Sequence, residues 1–191
     1  MSSETTTRPH ASWDQLTGLW NRESLLTLLF SETDRVQRMG TPLGLLLLDI
    51  DRFSQINSEY NKEGGDKILK EFSDRIRRFL RSYDLIGRVG GDEFLIALPG
   101  CASNEALQLA ARIRTVLLRP PFAVGGDMVS ITVSMGMVQS RGRSPLVVLR
   151  EAECALAEAK REGRNCEREY NPPLQKLQLL ETPVSRPVPT P

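Results

Sequence analysis

The sequence predicts an α+β fold in which a central, antiparallel to mixed sheet is flanked by helices. In four segments the apolar residues recur at the spacing of an amphipathic helix. Between them lie short apolar runs and strictly alternating segments, which are typical of strands. The resulting order is helix, strand, helix, hairpin, helix, strand, helix. It resembles a split βαβ, or ferredoxin-like, arrangement.

The N-terminal part of the chain contains the first helix and a buried strand. Asn21 is a suitable N-cap for a helix that continues to about Met39, and Thr41-Pro42 then ends it. The apolar run 43–48 follows, and its short length and abrupt end at an aspartate favour a strand that is buried on both faces. Residues 67–80 carry apolar side chains at helical spacing, with charged ones between them, which predicts an amphipathic helix.

The second half of the chain continues this alternation after the hairpin. Helical spacing over residues 104–118 predicts a third helix, which a Pro-Pro pair closes. Residues 129–137 alternate apolar and polar side chains without a break, which predicts a half-buried strand. A last helix is predicted from about Pro145 to Glu162, because Gly163 is a natural left-handed terminator.

Composition places the folded domain at residues 13–171 and limits its partners. The chain has 191 residues, 40% of them hydrophobic, which suffices for one domain with a substantial core. The polar stretch 1–12 and the proline-rich stretch 172–191 are predicted to be tails. With 25 basic and 24 acidic residues the net charge is +1, so neither a nucleic-acid polymer nor an anionic membrane surface is indicated as a partner.

The cysteines and the hydropathy pattern indicate a cytoplasmic protein. The three cysteines share no metal-ligand spacing and are odd in number, which argues against a disulfide framework and against a zinc site. The N-terminus lacks a signal-peptide core, and no segment offers 18 uninterrupted apolar residues. Membrane insertion and secretion are therefore not expected.

The run 88–94, Arg-Val-Gly-Gly-Asp-Glu-Phe, is the most informative stretch of the sequence. Apolar residues on both sides predict a hairpin, and Gly90 and Gly91 are expected to adopt φ > 0 in its turn and to let phosphates approach the backbone. Asp92 and Glu93 would then present their carboxylates at the tip. The alternative interpretation is a solvated β-turn that happens to be acidic.

A second acidic cluster, Asp49-Ile50-Asp51, follows the buried strand. If this strand neighbours the hairpin, the two clusters meet, and side-by-side oxygen ligands suit Mg²⁺ or Mn²⁺ together with substrate phosphates. The pattern predicts a phosphoryl-transfer site, in which metal ions neutralise triphosphate charge and activate a hydroxyl. The alternative is that Asp49 and Asp51 only terminate the strand.

Four ordered motifs make the chain resemble the GGDEF family of diguanylate cyclases over residues 14–170. Besides Gly-Gly-Asp-Glu-Phe at 90–94, residues 14–22 are similar to the family's D-x-L-T-G-L-x-N-R, residues 49–57 to D-I-D-x-F-K-x-I-N, and residues 159–165 to A-K-x-x-G-R-N. The resemblance implies a fold related to nucleotidyl cyclases and polymerase palms. It also implies the reaction 2 GTP → cyclic di-GMP + 2 pyrophosphate.

The resemblance assigns the reaction centre by position. Asp49 and Asp92 would ligate Mg²⁺ or Mn²⁺ with help from the carbonyl of Ile50. Glu93 would bind metal or promote deprotonation of the 3′-hydroxyl, which makes Asp49, Asp92 and Glu93 the catalytic candidates. Because each chain would hold one GTP, two chains must face each other, and activity implies a homodimer.

The resemblance also assigns a substrate site, whose members are Phe53, Asn57, Asp66, Gly90, Gly91, Lys160 and Arg164. Asn57 and Asp66 would bind the guanine edge, since a carboxylate accepts from N1–H and N2–H₂. Lys160 and Arg164 are four residues apart, so they are expected on one face of the last helical turn, where they would pair with the β- and γ-phosphates. Alternatively, they form a solvated helix end that the helix dipole favours.

A separate inhibitory site is implied by the tetrapeptide 81–84, which resembles the family's R-x-x-D motif for feedback inhibition by cyclic di-GMP. Arg81 offers paired donors to phosphate or guanine, and Asp84 accepts from guanine. Arg112, on the following helix, is a further candidate for the same site. The alternative for the tetrapeptide is a surface ion pair.

The sequence departs from the family at the rim of the guanine pocket. Ser58, Asn61 and Lys62 stand where the family has Asp, Gly and His. Asn61 is expected to keep the turn, because asparagine tolerates the left-handed region. Two rival functions follow: a catalytically silent domain that binds GTP or cyclic di-GMP as a receptor, and an interaction module that docks through the hairpin. The intact Gly-Gly-Asp-Glu-Phe run favours the enzyme.

Overall fold

The computed structural model describes residues 12–172, so the predicted tails lie outside the described residues except for their innermost positions. The elements in chain order are β1 (Trp20–Asn21), α1 (Arg22–Met39), β2 (Leu43–Ile50), α2 (Phe53–Phe79), β3 (Leu85–Arg88), β4 (Glu93–Pro99), α3 (Ser103–Arg112), a π-helical turn (Ile113–Leu117), β5 (Phe122–Val124), β6 (Asp127–Val129), β7 (Val133–Gln139), α4 (Pro145–Arg161) and β8 (Glu167–Glu169). Within residues 12–172, no helix is both long and apolar enough to cross a membrane.

The predicted α+β class is confirmed, with one mixed sheet at the centre. Its strand order is β1-β3-β4-β2-β7-β8. The four inner strands pair antiparallel with one another. The outer strand β1 pairs in parallel with β3, and the outer strand β8 pairs in parallel with β7. Strands β5 and β6 form a separate hairpin. The central position of β2 places its C-terminal end between β4 and β7.

Strand β2 is buried along its whole length, as the apolar run predicts. Leu46 and Leu48 belong to the core on the face that α2 and α3 cover. Leu45 and Leu47 belong to the core on the opposite face, beneath α1 and α4. Burial on two faces explains why the strand is continuously apolar, because neither side meets water.

The strand predicted over residues 129–137 is present from Val133 onward, but its predicted start and its predicted half-buried character are wrong. Strand β7 begins only at Val133, and Val129 belongs to β6. Its polar and small positions are also buried, because helix α4 packs directly on them. A Cβ atom added at Gly136 would lie 2.2 Å from the carbonyl oxygen of Ala152. Within β7 the alternation therefore reflects close helix packing on one face, whereas Ser130 and Thr132 before the strand are exposed.

The predicted helices are present, with changed boundaries. Asn21 caps α1 by accepting a hydrogen bond from the Ser24 amide at 2.9 Å. The helix ends at Met39, as predicted, and Gly40 caps it in a left-handed conformation with φ 63°. Helix α2 begins at Phe53, much earlier than predicted, and is interrupted at Asn61. The third helix changes to π-helical geometry after Arg112.

Candidate active site

The two acidic clusters meet at one end of the central strands, as their sequence positions predict. Strands β2 and β4 are neighbours, and Asp49 lies directly opposite Glu93 in their register. The Ile50 amide donates to the carbonyl oxygen of Asp92 at 3.2 Å, which joins the end of β2 to the hairpin turn. Three carboxylates are therefore brought to the same strand ends by backbone pairing alone.

The hairpin turn is tight, but its glycines serve a different purpose from the predicted one. The amides of Val89 and Gly90 both donate to the carbonyl oxygen of Glu93, at 2.9 and 3.3 Å. Neither Gly90 nor Gly91 has a positive φ, so that expectation is wrong. A Cβ atom added at Gly90 would lie 2.6 Å from the Glu93 Oε2 atom and would displace that carboxylate, whereas at Gly91 it would meet no described atom within 4 Å.

Arg88 braces this turn, and sequence reasoning does not identify it as a site residue. Its guanidinium donates to the Gly91 carbonyl oxygen from Nε at 3.0 Å and from Nη2 at 2.6 Å. Its Nη1 atom lies 3.3 Å from the Asp14 carboxylate. Burial opposes the change, but hydrogen bonds from Thr17 and the charge of Arg88 lower the pKa of Asp14. Through Arg88, the N-terminal motif at residues 14–22 is thus hydrogen-bonded to the acidic turn.

Asp49 is the electrostatic centre of the site. Its side chain is 10% exposed, and its Oδ2 atom lies 2.6 Å from the Lys160 ammonium. Burial raises the pKa of Asp49 to about 6; the hydrogen bond from Lys160 opposes this rise, and the charges of Asp92 and Glu93 add to it. Ionised carboxylates that repel one another at a buried strand end favour binding of a further cation.

The donor set fits a hard divalent ion that is completed by other ligands. Within residues 12–172, no three acidic, histidine or cysteine side chains lie close enough together to hold a metal by themselves. Mg²⁺ commonly uses one or two carboxylates and takes its remaining ligands from water and substrate phosphates. Asp49 and Glu93, paired across two strands, can supply such a partial set.

The guanine candidates are close in space because helix α2 is broken between them. A Cβ atom at Gly65, the residue before Asp66, would lie 1.9 Å from the Asn57 Oδ1 atom and 3.0 Å from the Phe53 ring. The Asn57 side chain therefore packs against the backbone of the residue that precedes Asp66. Phe53 is only 8% exposed and belongs to the core, so it has little surface for a contact with substrate.

Asn61 breaks helix α2 in a strained conformation. Its φ of 58° agrees with the expected positive value, but its ψ of 177° lies far from the left-handed helical region. Glycine is almost the only residue that adopts this combination without strain. Asn61 stands where the family has glycine, and the departure has a cost in conformational energy.

Lys160 and Arg164 do not share a helical face, so the geometric expectation for this pair is wrong. Helix α4 ends at Arg161, and Arg164 follows in a left-handed conformation with φ 68°. Lys160 is bonded to Asp49. Arg164 is exposed and lines a cavity of about 380 Å³ together with Asp51 and Arg52. The two cations therefore approach the strand ends from different segments.

The three inhibitory-site candidates line one cavity of about 220 Å³, although they come from separate parts of the chain. The Arg81 amide donates to Asp84 Oδ2 at 2.8 Å, and the Arg81 guanidinium donates to the Tyr83 hydroxyl at 3.0 Å. The Arg112 guanidinium lies 4.9 Å from the centre of the Phe79 ring. Burial raises the pKa of Asp84, even though the Arg81 amide and charge oppose this.

The family model described as "Diguanylate cyclase, GGDEF domain" matches residues 11–166. The chain belongs to the GGDEF family. The match covers every element from β1 to α4, including both acidic clusters and the inhibitory-site candidates. The four motifs of the sequence are therefore parts of one GGDEF domain.

Curated relatives of this GGDEF domain support the same assignment. The chain is 38% identical over 156 residues to "Response regulator PleD" of Caulobacter vibrioides, a match that covers 80% of this chain and 34% of that protein. It is 40% identical over 159 residues to "Diguanylate cyclase DgcP" of Pseudomonas aeruginosa, covering 83% of this chain and 24% of the relative. The chain thus spans about a third or less of the length of these relatives.

Solved GGDEF structures share the fold. The GGDEF domain of DgcB from Caulobacter crescentus, in complex with c-di-GMP, matches with a TM-score of 0.80 at 28% identity and covers 85% of this chain and 98% of that one. Diguanylate cyclase SiaD from Pseudomonas aeruginosa, in complex with its activator SiaC, matches with a TM-score of 0.79 at 37% identity and covers 83% of this chain and 62% of that one. The mixed sheet flanked by helices is therefore the GGDEF fold.

Proposed function

We propose that this chain is an active, metal-dependent diguanylate cyclase. It condenses two GTP molecules into one cyclic di-GMP and releases two pyrophosphates. One observation carries the proposal: the register of β2 and β4 sets Asp49 directly opposite Glu93, beside Asp92 and next to the Lys160 ammonium. Family membership and the relatives named as diguanylate cyclases support the same reaction.

The chain's residues divide into a metal-binding and a substrate-binding set. Asp49, Asp92, Glu93 and the carbonyl of Ile50 would hold Mg²⁺ or Mn²⁺ together with water and substrate phosphates, and a bound ion would supply charge neutralisation for the triphosphate and a lower pKa for the attacking hydroxyl. Glu93 would also accept the proton of the ribose 3′-hydroxyl. A Cβ atom at Gly90 would lie 2.6 Å from its Oε2 atom, whereas one at Gly91 would meet no described atom within 4 Å, so a phosphate can approach the turn at Gly91 without meeting a side chain.

Substrate is held by groups on three segments. Asn57 and Asp66 bind the guanine edge across the break in α2, which brings them together. Lys160 and Arg164 neutralise the outer phosphates from the end of α4 and the loop after it. Lys160 exchanges part of its contact with Asp49 for phosphate oxygens as the substrate enters.

Two copies of the domain are required for the reaction. A single site holds one GTP, and formation of two new phosphodiester bonds needs the 3′-hydroxyl of each nucleotide to face the α-phosphorus of the other. A two-fold homodimer provides that geometry. Cyclic di-GMP then inhibits the enzyme by binding to Arg81, Asp84 and Arg112 in their shared cavity.

The test is mass-spectrometric detection of cyclic di-GMP after incubation of the purified chain with GTP and Mg²⁺. Product should rise faster than linearly with protein concentration and disappear when EDTA removes the metal. Asp92→Ala should abolish product, whereas Asp74→Ala, an exposed aspartate on α2, should retain it. Turnover that survives Asp92→Ala would contradict the assignment of the metal site.

A silent receptor is the second candidate function, because the guanine pocket contains a strained departure from the family. Asn61 occupies a glycine conformation, with Ser58 and Lys62 at altered rim positions. A receptor would bind GTP or cyclic di-GMP and form no product at any protein concentration. Calorimetric titration with cyclic di-GMP then decides how it binds, since a receptor that uses the inhibitory cavity loses affinity on Arg81→Ala and keeps it on Asp92→Ala.

A further inference from the structure

Asp51 has a different position and different partners from Asp49, although both belong to the same acidic motif. Its side chain is buried, with the residue 6% exposed. Its Oδ1 atom accepts from the Ser134 hydroxyl at 2.6 Å, and its Oδ2 atom accepts from the Thr132 hydroxyl at 2.7 Å and from the Asn165 amide at 3.0 Å. The amide of Asp51 also donates to the Thr132 carbonyl oxygen at 2.9 Å. This one carboxylate therefore joins the end of β2, the start of β7 and the loop after α4.

The loop that Asp51 holds is conformationally strained. After Gly163, with φ 111°, both Arg164 and Asn165 have positive φ, at 68° and 48°. Residues other than glycine seldom adopt this region, and they stay in it only where neighbouring groups fix the backbone. Two contacts do so here: the Arg164 amide donates to the Ala159 carbonyl oxygen at 3.1 Å, and the Asn165 amide donates to Asp51.

The strained residue Arg164 is also a candidate phosphate ligand. It has no helix to set its direction, because α4 ends at Arg161. The direction of its side chain follows from the backbone at positions 164 and 165, and the Asp51 carboxylate is the side chain that holds that backbone. Arg164 and Asp51 line the same cavity.

We propose that Asp51 is a positioning residue for the triphosphate and not a metal ligand. It keeps the loop after α4 in the conformation from which Arg164 reaches the outer phosphates. Both of its oxygens already accept hydrogen bonds from buried or partly buried donors, so a metal would have to displace them. The inference rests on the proposed nucleotide site, but it does not require that the site turns over.

Equilibrium binding of GTP and of GMP to the full 191-residue chain, in Mg²⁺, tests this role. GMP lacks the β- and γ-phosphates, so the ratio of the two affinities isolates the contribution of the phosphate ligands. Arg164→Ala should reduce the preference for GTP over GMP about tenfold, the usual effect of one charge-assisted contact. Asp51→Ala should reduce it by a similar factor and leave the GMP affinity unchanged.

A double variant separates positioning from a general structural effect. If Asp51 acts through Arg164, then Asp51→Ala combined with Arg164→Ala should lose no more preference than Arg164→Ala alone. Asp51→Asn keeps the shape and one acceptor oxygen, so a loss of about threefold is expected; it also serves if the alanine variant does not fold. Asp74→Ala, on the exposed face of α2, should have no effect.

Three results would overturn the proposal. Losses that multiply in the double variant would show that the two residues act independently. An equal loss of GTP and GMP affinity would indicate damage to the whole pocket. A higher Mg²⁺ requirement in Asp51→Asn, with the nucleotide preference unchanged, would make Asp51 a metal ligand. If the expected coupling is found and no cyclic di-GMP is formed, the cyclase proposal fails while the role of Asp51 stands.

Discussion

Replacing Asp49 by asparagine tests whether the candidate metal site is maintained at the expense of stability. Burial, together with the charges of Asp92 and Glu93, raises the pKa of Asp49 to about 6 from an ordinary value of 3.8, although Lys160 opposes the rise. A carboxyl group whose pKa is raised by folding holds its proton more tightly in the folded than in the unfolded state. Ionisation of Asp49 therefore destabilises the fold at neutral pH.

The size of the shift sets the size and the pH window of the effect. A shift of two units corresponds to about 3 kcal/mol, and solvent at the strand end reduces the expected difference to about 1 to 2 kcal/mol. The destabilisation is absent below pH 3.8, develops between pH 3.8 and about 6, and is constant above that value. Asp49→Asn cannot ionise, so it should be more stable than the wild type at neutral pH, and the difference should shrink as the pH falls toward 4.

Urea unfolding of both proteins, near pH 7.5 and near pH 4.5, measures this difference above the window and inside its lower part, where most of the difference should be lost. Mg²⁺ should raise the unfolding midpoint of the wild type and leave that of Asp49→Asn unchanged, because an ion that binds only the folded state stabilises it. Asp74→Asn is the matched control on an exposed helix face. If Asp49→Asn is less stable near pH 7.5, or if the difference does not depend on pH, the electrostatic reasoning is refuted.

Three further outcomes are expected, each from a single change. Asn61→Gly should raise the free energy of unfolding by about 1 kcal/mol, because φ 58° and ψ 177° suit glycine; thermal unfolding checks this, and an unchanged or lower midpoint counts against it. Arg88→Ala should lower the rate of cyclic di-GMP formation at least about tenfold, because it releases the Gly91 carbonyl oxygen; a rate equal to that of the exposed variant Arg78→Ala would show that the brace is dispensable. Arg81→Ala should keep product formation linear as cyclic di-GMP accumulates, while the wild type slows; identical progress curves would remove the inhibitory assignment.

Local sequence patterns predict the long elements of this fold well. The cap at Asn21 and the apolar run of β2 depend on residues that are near neighbours in the chain, so their signals are visible in sequence. The first half of α2 gives a weak signal, because residues 53–66 contain two adjacent glycines and many polar residues. This segment is helical because Phe53 and Ile56 pack into the core, which is a tertiary effect.

The same limit applies to the candidate site. Motif spacing identifies Asp49, Asp92 and Glu93 as a group, and strand pairing places them together as predicted. Motif spacing does not identify Arg88, whose side chain donates hydrogen bonds both to Asp14 in the N-terminal motif and to Gly91 in the turn. The family resemblance selects Asp49 as a metal ligand, but it gives no role to Asp51.

Motifs and periodicity are properties of short segments, so the amino-acid sequence alone was enough to predict the family and the α+β class, while the ligands of the site stay predictions. The three-dimensional structure was needed to show that Asp51 anchors the loop after α4. It also decided that Lys160 and Arg164 approach from different segments. The physical reason is that these choices depend on strand register, helix termination and positive φ values, which contacts between residues distant in the chain select.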